Sequence, residues 1–289
     1  QEKARAMGGP RHIARQHGRN RLTARERIDL LLDPGTFDEL GLLAHSDLPE
    51  ARERTPADGK ITGFGAVNGR TVFVAADDVT VMAGAGGRVG VGKQHKGSTY
   101  AACKGYPIIV LGDAGGARVP DIMGSAGMMS MVYPIQGEPR DRQVPQITAI
   151  MGECYGGPSW TAAGSDVIIQ VKGAVMAVGG PSILEISTGE QATPQALGGW
   201  ELHATQGGQV GPFAEDETEC LWLIRRLLGY LPSHAGELPP VWPAEDPPDA
   251  RLDNILDVVP ANPKESYDMH AVIYLIADAD SVFEFKPHY

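Results

Sequence analysis

Two glycine pairs, Gly115-Gly116 and Gly156-Gly157, are the residues in this sequence best placed for chemistry. Each follows an apolar run that reads as a strand and precedes a predicted helix, so backbone N–H groups should point out of a helix N-terminus. Pro158 suits that geometry, because proline is favoured in a first helical turn, where the donor it lacks is spare. Two such pairs converging on one point would form an oxyanion hole, which stabilises negative charge developing on oxygen. The same glycines would also serve if they only allowed tight strand-to-helix turns, and spacing leaves both readings open.

Other constellations carry less. Gly87-Arg-Val-Gly-Val-Gly92-Lys93 fits the first seven positions of a phosphate-binding loop, and the run ending near Asp113 mimics its acidic strand end. Position 94 is Gln, however, which removes the hydroxyl that holds magnesium and argues against a nucleoside triphosphatase. A glycine loop followed by Lys93 can still receive other phosphates, such as those of coenzyme A. Cys154 with His203 as base would make a nucleophile, but no spacing places them together, and cysteine is commonly a small buried hydrophobe. The nucleophile motif G-x-S-x-G does not occur. The methionines between Met123 and Met131 read as packing, or as a flexible acyl pocket.

The elements that must position the glycines are legible. Thr23-Ala-Arg-Glu26 is a capping box, and the helix it opens has Leu22, Ile28, Leu31 and Leu32 on its apolar side before Asp33-Pro34-Gly35 stops it. Two β-rich runs, 60–66 and 70–76, are joined through Asn68-Gly69, the strongest short hairpin signal. A glycine-rich loop over 83–92 leads into a helix over 93–104. Continuous apolar runs at 106–111, 145–151 and 166–172 suit buried strands, with a further run at 174–178 ending in Gly179-Gly180-Pro181. Strands that run into glycine turns and then helices predict a layered α/β fold, whose ligands gather at the carboxyl ends of strands.

Over 289 residues, 42% are hydrophobic and 21% charged, which is the balance of a soluble globular protein. A formal charge of −11 argues against nucleic acid and anionic membrane as partners, although Arg11, Arg15, Arg19, Arg21, Arg25 and Arg27 crowd the first residues. That cluster reads as a solvated basic helix or as a contact to phosphate or a partner subunit. Cys103, Cys154 and Cys220 lack metal-type spacing and fit a reducing compartment, so the cytoplasm is the expected location and no metal is expected. Pro and Asp enrichment over 232–264, including Pro247 and Pro248, predicts a linker between a first domain at 1–231 and the start of a second at 265–289, with a helix over 267–276.

Read together, several stretches resemble the carboxyltransferase β subunits of biotin-dependent acyl-CoA carboxylases, of the propionyl-CoA carboxylase type. They are Leu22-Thr-Ala-Arg-Glu-Arg-Ile28, Asp78-Val-Thr-Val81, Asp113-Ala-Gly-Gly-Ala-Arg118, Val144-Pro-Gln-Ile147, Cys154-Tyr-Gly-Gly157, Gly180-Pro181, Thr188-Gly-Glu190 and Leu197-Gly-Gly199 with His203. The tail from Tyr267-Asp-Met-His270 to Phe283-Glu-Phe285 resembles the start of that family's second domain.

The resemblance implies a crotonase-like ββα spiral and a first domain that binds acyl-CoA. It also implies a site shared with the second, biotin-side domain of a dimer partner. Carboxybiotin on a separate carrier, a biotin carboxylase and a dimer-based homo-oligomer, a hexamer, are the implied partners; alternatively another chain supplies the second domain. The implied reaction moves CO2 to the α-carbon of a short acyl-CoA through a thioester enolate. By the family motif, Gly156 and Gly157 match the enolate-stabilising pair, and Gly115 and Gly116 lie at the neighbouring turn. Lys93, Arg118, Gly84 and Ala114 are the candidates near coenzyme A.

The sequence departs from the family at Ala114, where Ser is usual, at Tyr155, Pro158 and Trp160, at Trp200 after Gly198-Gly199, and over 136–143. Bulky aromatics beside an acyl pocket would narrow it or set a ring against the substrate. Rival readings are a biotin-dependent acyl-CoA decarboxylase subunit, a non-catalytic scaffold subunit, and a biotin-independent crotonase-type hydratase or hydrolase. The last lacks a visible catalytic Glu pair.

Overall fold

The hairpin announced by Asn68-Gly69 forms as β2 (Lys60–Val67) and β3 (Arg70–Asp77), antiparallel, with φ of 51° and 77° at its two turn residues. It comes from a computed structural model that describes residues 1–124, 143–244, 251–278 and 280–289. The methionines after Met123, residues 136–142 and Pro247-Pro248 therefore lie outside the described residues. On β2 a short strand β1 (Asp38–Leu40) adds antiparallel, and from β3 onward the sheet is parallel.

The parallel strands are β4 (Ile108–Gly112), β5 (Gln146–Ile150), β7 (Val167–Val171) and β9 (Phe213–Ala214). Among the described residues they complete one seven-stranded sheet in the order β1-β2-β3-β4-β5-β7-β9. Both faces of β4 are covered. Ile109 and Leu111 join the main core, while Ile108 and Val110 pack with Phe73 and Ala101 on the other face, as the two-residue period of a strand requires. A second parallel pair, β6 (Glu153–Tyr155) with β8 (Val175–Ala177), stands just beyond the ends of β5 and β7.

Helices α1 (Glu2–Arg5), α2 (Pro10–His17) and α3 (Ala24–Leu31) open the chain. The capping box at α3 is complete: Thr23 Oγ1 accepts from the Glu26 N–H, and the Glu26 carboxylate accepts from the Thr23 N–H at 2.7 Å. Next come α4 (Arg88–Lys104), α5 (Val119–Ile122), α6 (Gly157–Ala163), α7 (Pro181–Thr188), α8 (Pro194–Gly198) and α9 (Glu217–Leu228). The helix expected over 93–104 begins five residues earlier, at Arg88, because Gly87 is its N-cap.

The ends of α3, β4 and α9 meet on one buried cation. Arg27 is 0% exposed; its Nη2 lies 2.9 Å from Asp113 Oδ2 and 2.6 Å from Glu217 Oε1, and its Nε donates to Glu217 Oε2 at 2.9 Å. Burial alone would lower the pKa of this guanidinium, but the charges of Asp113 and Glu217 hold it above its ordinary value. Asp113 is the first residue beyond β4, so the cation fixes the point where that strand becomes the Gly115-Gly116 turn.

The expected linker contains one short helix among the described residues, α10 (Ile255–Val258), and α11 (Met269–Ile276) follows it. The chain then returns to the first body: Arg226 Nη2 donates to the Val282 carbonyl at 2.7 Å, Lys286 Nζ to the Gly208 carbonyl at 2.5 Å, and His288 packs on Trp200 and Phe213. Trp200, one of the departures from the family pattern, stacks on Phe213 with centroids 4.2 Å apart, so its ring serves this packing.

Removing the cation leaves two carboxylates buried without their partner. Arg27→Met should therefore destabilise the fold by about 3–5 kcal/mol in equilibrium denaturation. A loss below about 1 kcal/mol would show that solvent reaches Asp113 and Glu217.

Candidate active site

The two glycine pairs sit on adjoining turns. Tyr155 N donates to the Ala114 carbonyl at 3.3 Å, and a Cβ on Gly116 would stand 3.4 Å from the Tyr155 carbonyl oxygen. Gly156 is the N-cap of α6 with φ 68° and ψ −121°, and Gly116 has φ 108°. Both conformations exclude ordinary side chains, so these two positions require glycine for their backbone shape.

Within each pair the residues have different tasks. Gly115 N donates to the Ala83 carbonyl at 3.1 Å, and Gly156 N donates to the Ala177 carbonyl at 3.2 Å. These bonds hold the turns. The N–H groups of Gly116 and Gly157 have no acceptor among the described residues. Pro158 lies in the first turn of α6, as the sequence suggested. The sequence treated each pair as equivalent donors; among the described residues only the first N–H of each pair is bonded.

Along α6 opens a cleft of about 600 Å³, lined by Trp160, Met176, Val178, Ile183, Leu184 and Leu197 among others. Trp160 and Ile183 are 60% and 62% exposed, so the cleft is apolar and open. His203 also lines it, in a short π-helical stretch, with Nε2 2.8 Å from the Met176 carbonyl oxygen. A carbonyl only accepts, so Nε2 carries the proton. Tyr155 turns its ring toward Gly180, and burial together with the charge of Glu153 raises the pKa of its phenol.

The Cys154–His203 alternative fails on placement. His203 is engaged by Met176, and Cys154 is fully buried, its thiol pushed up by burial and then by the charges of Asp77 and Asp113. A thiol so stabilised in its neutral form is a poor nucleophile. Cys220 is likewise buried, and Cys103 is exposed.

Of the four residues expected near coenzyme A, Lys93 and Arg118 bond within the protein itself. Lys93 Nζ donates to three carbonyls, of Lys60 at 2.7 Å, Ala57 at 2.9 Å and Gly41 at 3.2 Å. Burial lowers its pKa to about 8. Arg118 is 2% exposed and pairs with Asp58 and, at 2.7 Å, with Asp121. Gly84 ends a left-handed run, Met82-Ala83-Gly84, with φ of 47°, 57° and 68°, and Ala114 is 2% exposed beneath the turn.

The phosphate-loop likeness has a physical explanation of its own. A Cβ at Gly87 would collide with the Arg118 guanidinium, and one at Gly90 would stand 2.7 Å from the Asp58 carbonyl oxygen. The N–H of Gly90 donates to Asp58 Oδ2 at 2.5 Å. The anion at the start of α4 is thus a protein carboxylate, in the place where a nucleotide-binding loop would hold phosphate. Asp58 escaped the sequence reading. Pro56-Ala57-Asp58-Gly59 does carry turn chemistry, but nothing in the chain marks Arg118 as its partner.

Among the described residues no group of three or more His, Cys, Asp or Glu is arranged to hold a metal ion, and no helix is long and apolar enough to cross a membrane.

Comparison with known proteins matches residues 15–289 to the carboxyl transferase domain. The chain is 37% identical over 291 residues to the propionyl-CoA carboxylase beta chain of Roseobacter denitrificans, covering 99% of this chain and 57% of that one. It is 33% identical over 293 residues to the methylmalonyl-CoA decarboxylase subunit alpha of Propionigenium modestum, covering 100% of this chain and 56% of that one. Among solved structures, the transcarboxylase 12S hexamer with hydrolysed methylmalonyl-coenzyme A bound superposes with a TM-score of 0.91 at 34% identity, over 100% of this chain and 57% of that one. The α/β mixed-sheet fold is that of these crotonase-like carboxyltransferases. The chain spans a little over half the length of the relatives it matches.

Lys93 yields a test with two signs. Its folded pKa of about 8 lies below the ordinary lysine value, so the unfolded state holds more protons between the two. Its charge therefore costs stability below pH 8, and stability relative to Lys93→Met should rise from pH 8 toward pH 10. The same variant should leave coenzyme A affinity within about twofold, since the ammonium faces carbonyls. A loss of affinity of tenfold or more at unchanged stability, by titration calorimetry, would return Lys93 to the ligand.

Proposed function

The chain belongs to the carboxyl transferase domain family, and from that premise we propose that it forms the acyl-CoA half of a biotin-dependent carboxyltransferase. The observation that carries the proposal is the pair of N–H groups, on Gly116 and Gly157, that have no acceptor among the described residues and stand at adjoining turns. Moving CO2 onto the α-carbon of a thioester requires that carbon to lose a proton, and the negative charge then gathers on the thioester oxygen. Backbone N–H donors aimed at that oxygen stabilise it without a proton transfer of their own. Gly115 and Gly156 hold the two turns through Ala83 and Ala177, and the donors keep their direction because those inner bonds are made. Carboxybiotin, held by another protein, would supply CO2 and its freed nitrogen would take the α-proton. The residues of this chain then need only bind, orient and stabilise, which fits a site whose free groups are amides.

The apolar cleft along α6 is the proposed seat of the acyl group, with Trp160 at its open side. Lys93, Arg118, Gly84 and Ala114 are proposed as supports of the site and of the loop that leads to it. Residues 1–231 would form the acyl-CoA domain, 232–264 a linker and 265–289 the beginning of the biotin-side domain. The partners would be a biotin carboxyl carrier, a biotin carboxylase and further copies in a dimer-based hexamer, and the location the cytoplasm. A decarboxylase running the same chemistry in reverse is the second reading, favoured by the likeness to a methylmalonyl-CoA decarboxylase subunit.

Two substitutions at one position test the donor. A Cβ at Gly157 meets nothing within 4 Å, and this residue is the first of α6, where proline is well accepted. Gly157→Ala keeps the N–H and should retain kcat within a few-fold, whereas Gly157→Pro deletes it and should lower kcat by about 10²–10³. The assay is acyl-CoA carboxylation by the full-length subunit with its carrier, and malonyl-type thioester decarboxylation in the reverse arm. Equal rates for the two variants would remove the Gly157 amide from the mechanism.

A further inference from the structure

The Asp58 carboxylate is engaged within the protein, and it is buried in an unusual backbone. It is 1% exposed, and Ala57, Asp58 and Gly59 form a left-handed run with φ of 49°, 53° and 68°. Left-handed non-glycine residues cost energy and persist where the surroundings fix them. One carboxylate oxygen of Asp58 pairs with Arg118 Nη2, and the other accepts the Gly90 N–H at 2.5 Å. Arg118 is further held by Asp121, which Ser46 Oγ bonds at 2.8 Å. Burial would raise the pKa of Asp121, but hydrogen bonds from Arg118 and Ser46 hold it low.

This network ends on the carbonyl of Gly116, one peptide beyond that residue's N–H. The Arg118 N–H donates to the Gly86 carbonyl at 2.8 Å, and the Gly86 N–H donates to the Gly116 carbonyl at 2.9 Å. Asp58 therefore grips both sides of the bridge that carries Gly116: Arg118 two residues beyond it, and the start of α4 just after Gly86 and Gly87. The neighbouring loop is tied in as well, because the Asp78 N–H donates to the Gly59 carbonyl at 2.9 Å and a Cβ on Gly59 would stand 3.5 Å from Val81. That loop presents the Ala83 carbonyl to Gly115. Gly115 and Gly116 are thus held from two directions.

We propose that Asp58 is a positioning residue for the Gly116 amide, acting through Arg118 and the Gly86–Ala117 bridge. The proposal rests on the reading of Gly116 as an enolate donor. Its structural half stands apart from that reading: the carboxylate fixes the turn whatever reaction the turn serves.

In the full-length carboxyltransferase with its carrier, Asp58→Asn keeps the side chain's size and removes its charge. It should lower kcat about tenfold, within the range that indirect couplings reach, with KM for acyl-CoA unchanged. In a Gly116→Ala background, where the donor is already displaced, the same substitution should change kcat less than twofold. A merely structural residue would lower kcat by the same factor in both backgrounds, which would overturn the proposal. Ser46→Ala loosens the same network more gently, and it should give a smaller loss with the same dependence on Gly116 if Asp58→Asn does not fold. Amide hydrogen exchange separates the two premises. Faster exchange at Gly86 and Arg118 in Asp58→Asn, without any carboxyl transfer by the parent protein, would sink the enolate reading and keep the positioning role. Unchanged exchange there would sink the positioning role itself.

Discussion

The buried Arg27 guanidinium is the interaction on which this architecture turns. It joins α3 to the carboxyl end of β4 and to the first turn of α9, residues far apart in sequence. A buried ion pair of this kind adds little net stability over a well-packed apolar core, because desolvation offsets most of the attraction. Its value lies in specificity: each carboxylate is tolerated only with the cation in place. Asp113 is thereby fixed one residue before Ala114, and the glycine turn starts from a defined point. Lys60, paired with Asp77 on the neighbouring strand end, continues the arrangement, since Asp77 also accepts the Asp113 N–H at 3.3 Å.

A second buried network, around Arg118, stands on the far side of the same turn. Between the two, the backbone has little freedom left, and this is the condition an amide needs to act on charge at a distance from any acid or base. Preorganised dipoles cost no rearrangement when charge develops. The division within the glycine pairs belongs to the same logic. One N–H of each pair closes a hydrogen bond to a neighbouring loop or strand, and the other has no acceptor among the described residues.

What could be read from the sequence was local. The capping box at Thr23–Glu26, the hairpin at Asn68-Gly69, the apolar strands and the proline in the first turn of α6 depend on residues a few positions apart, and each formed as expected. Of the two glycine turns only Gly156-Gly157 opens a helix as expected; Gly115-Gly116 runs instead into the bridge between Gly86 and Ala117, because that pairing holds the chain extended before α5. The charged candidates were harder. Lys93 and Arg118 sit next to glycines in a pattern that suits phosphate, and charge alone does not say whether the partner is a ligand or a carboxylate sixty residues away. In the fold Arg118 meets Asp58 and Lys93 meets three backbone carbonyls, and such partners are a tertiary property. Trp200 and Trp160 illustrate the same limit: both break the family pattern beside a glycine pair, but one is stacked on Phe213 and the other stands open at the cleft.

The proposed chemistry needs amides that prefer an enolate to the thioester from which it forms. The direct measurement is the affinity of the full-length protein for two coenzyme A ligands. One is a saturated acyl thioester, and the other an analogue in which a planar nitronate replaces the enolate. Donors aimed at developing charge should bind the nitronate about a hundredfold tighter or more. Equal affinity for the two ligands would mean that the Gly116 and Gly157 amides only shape the turns.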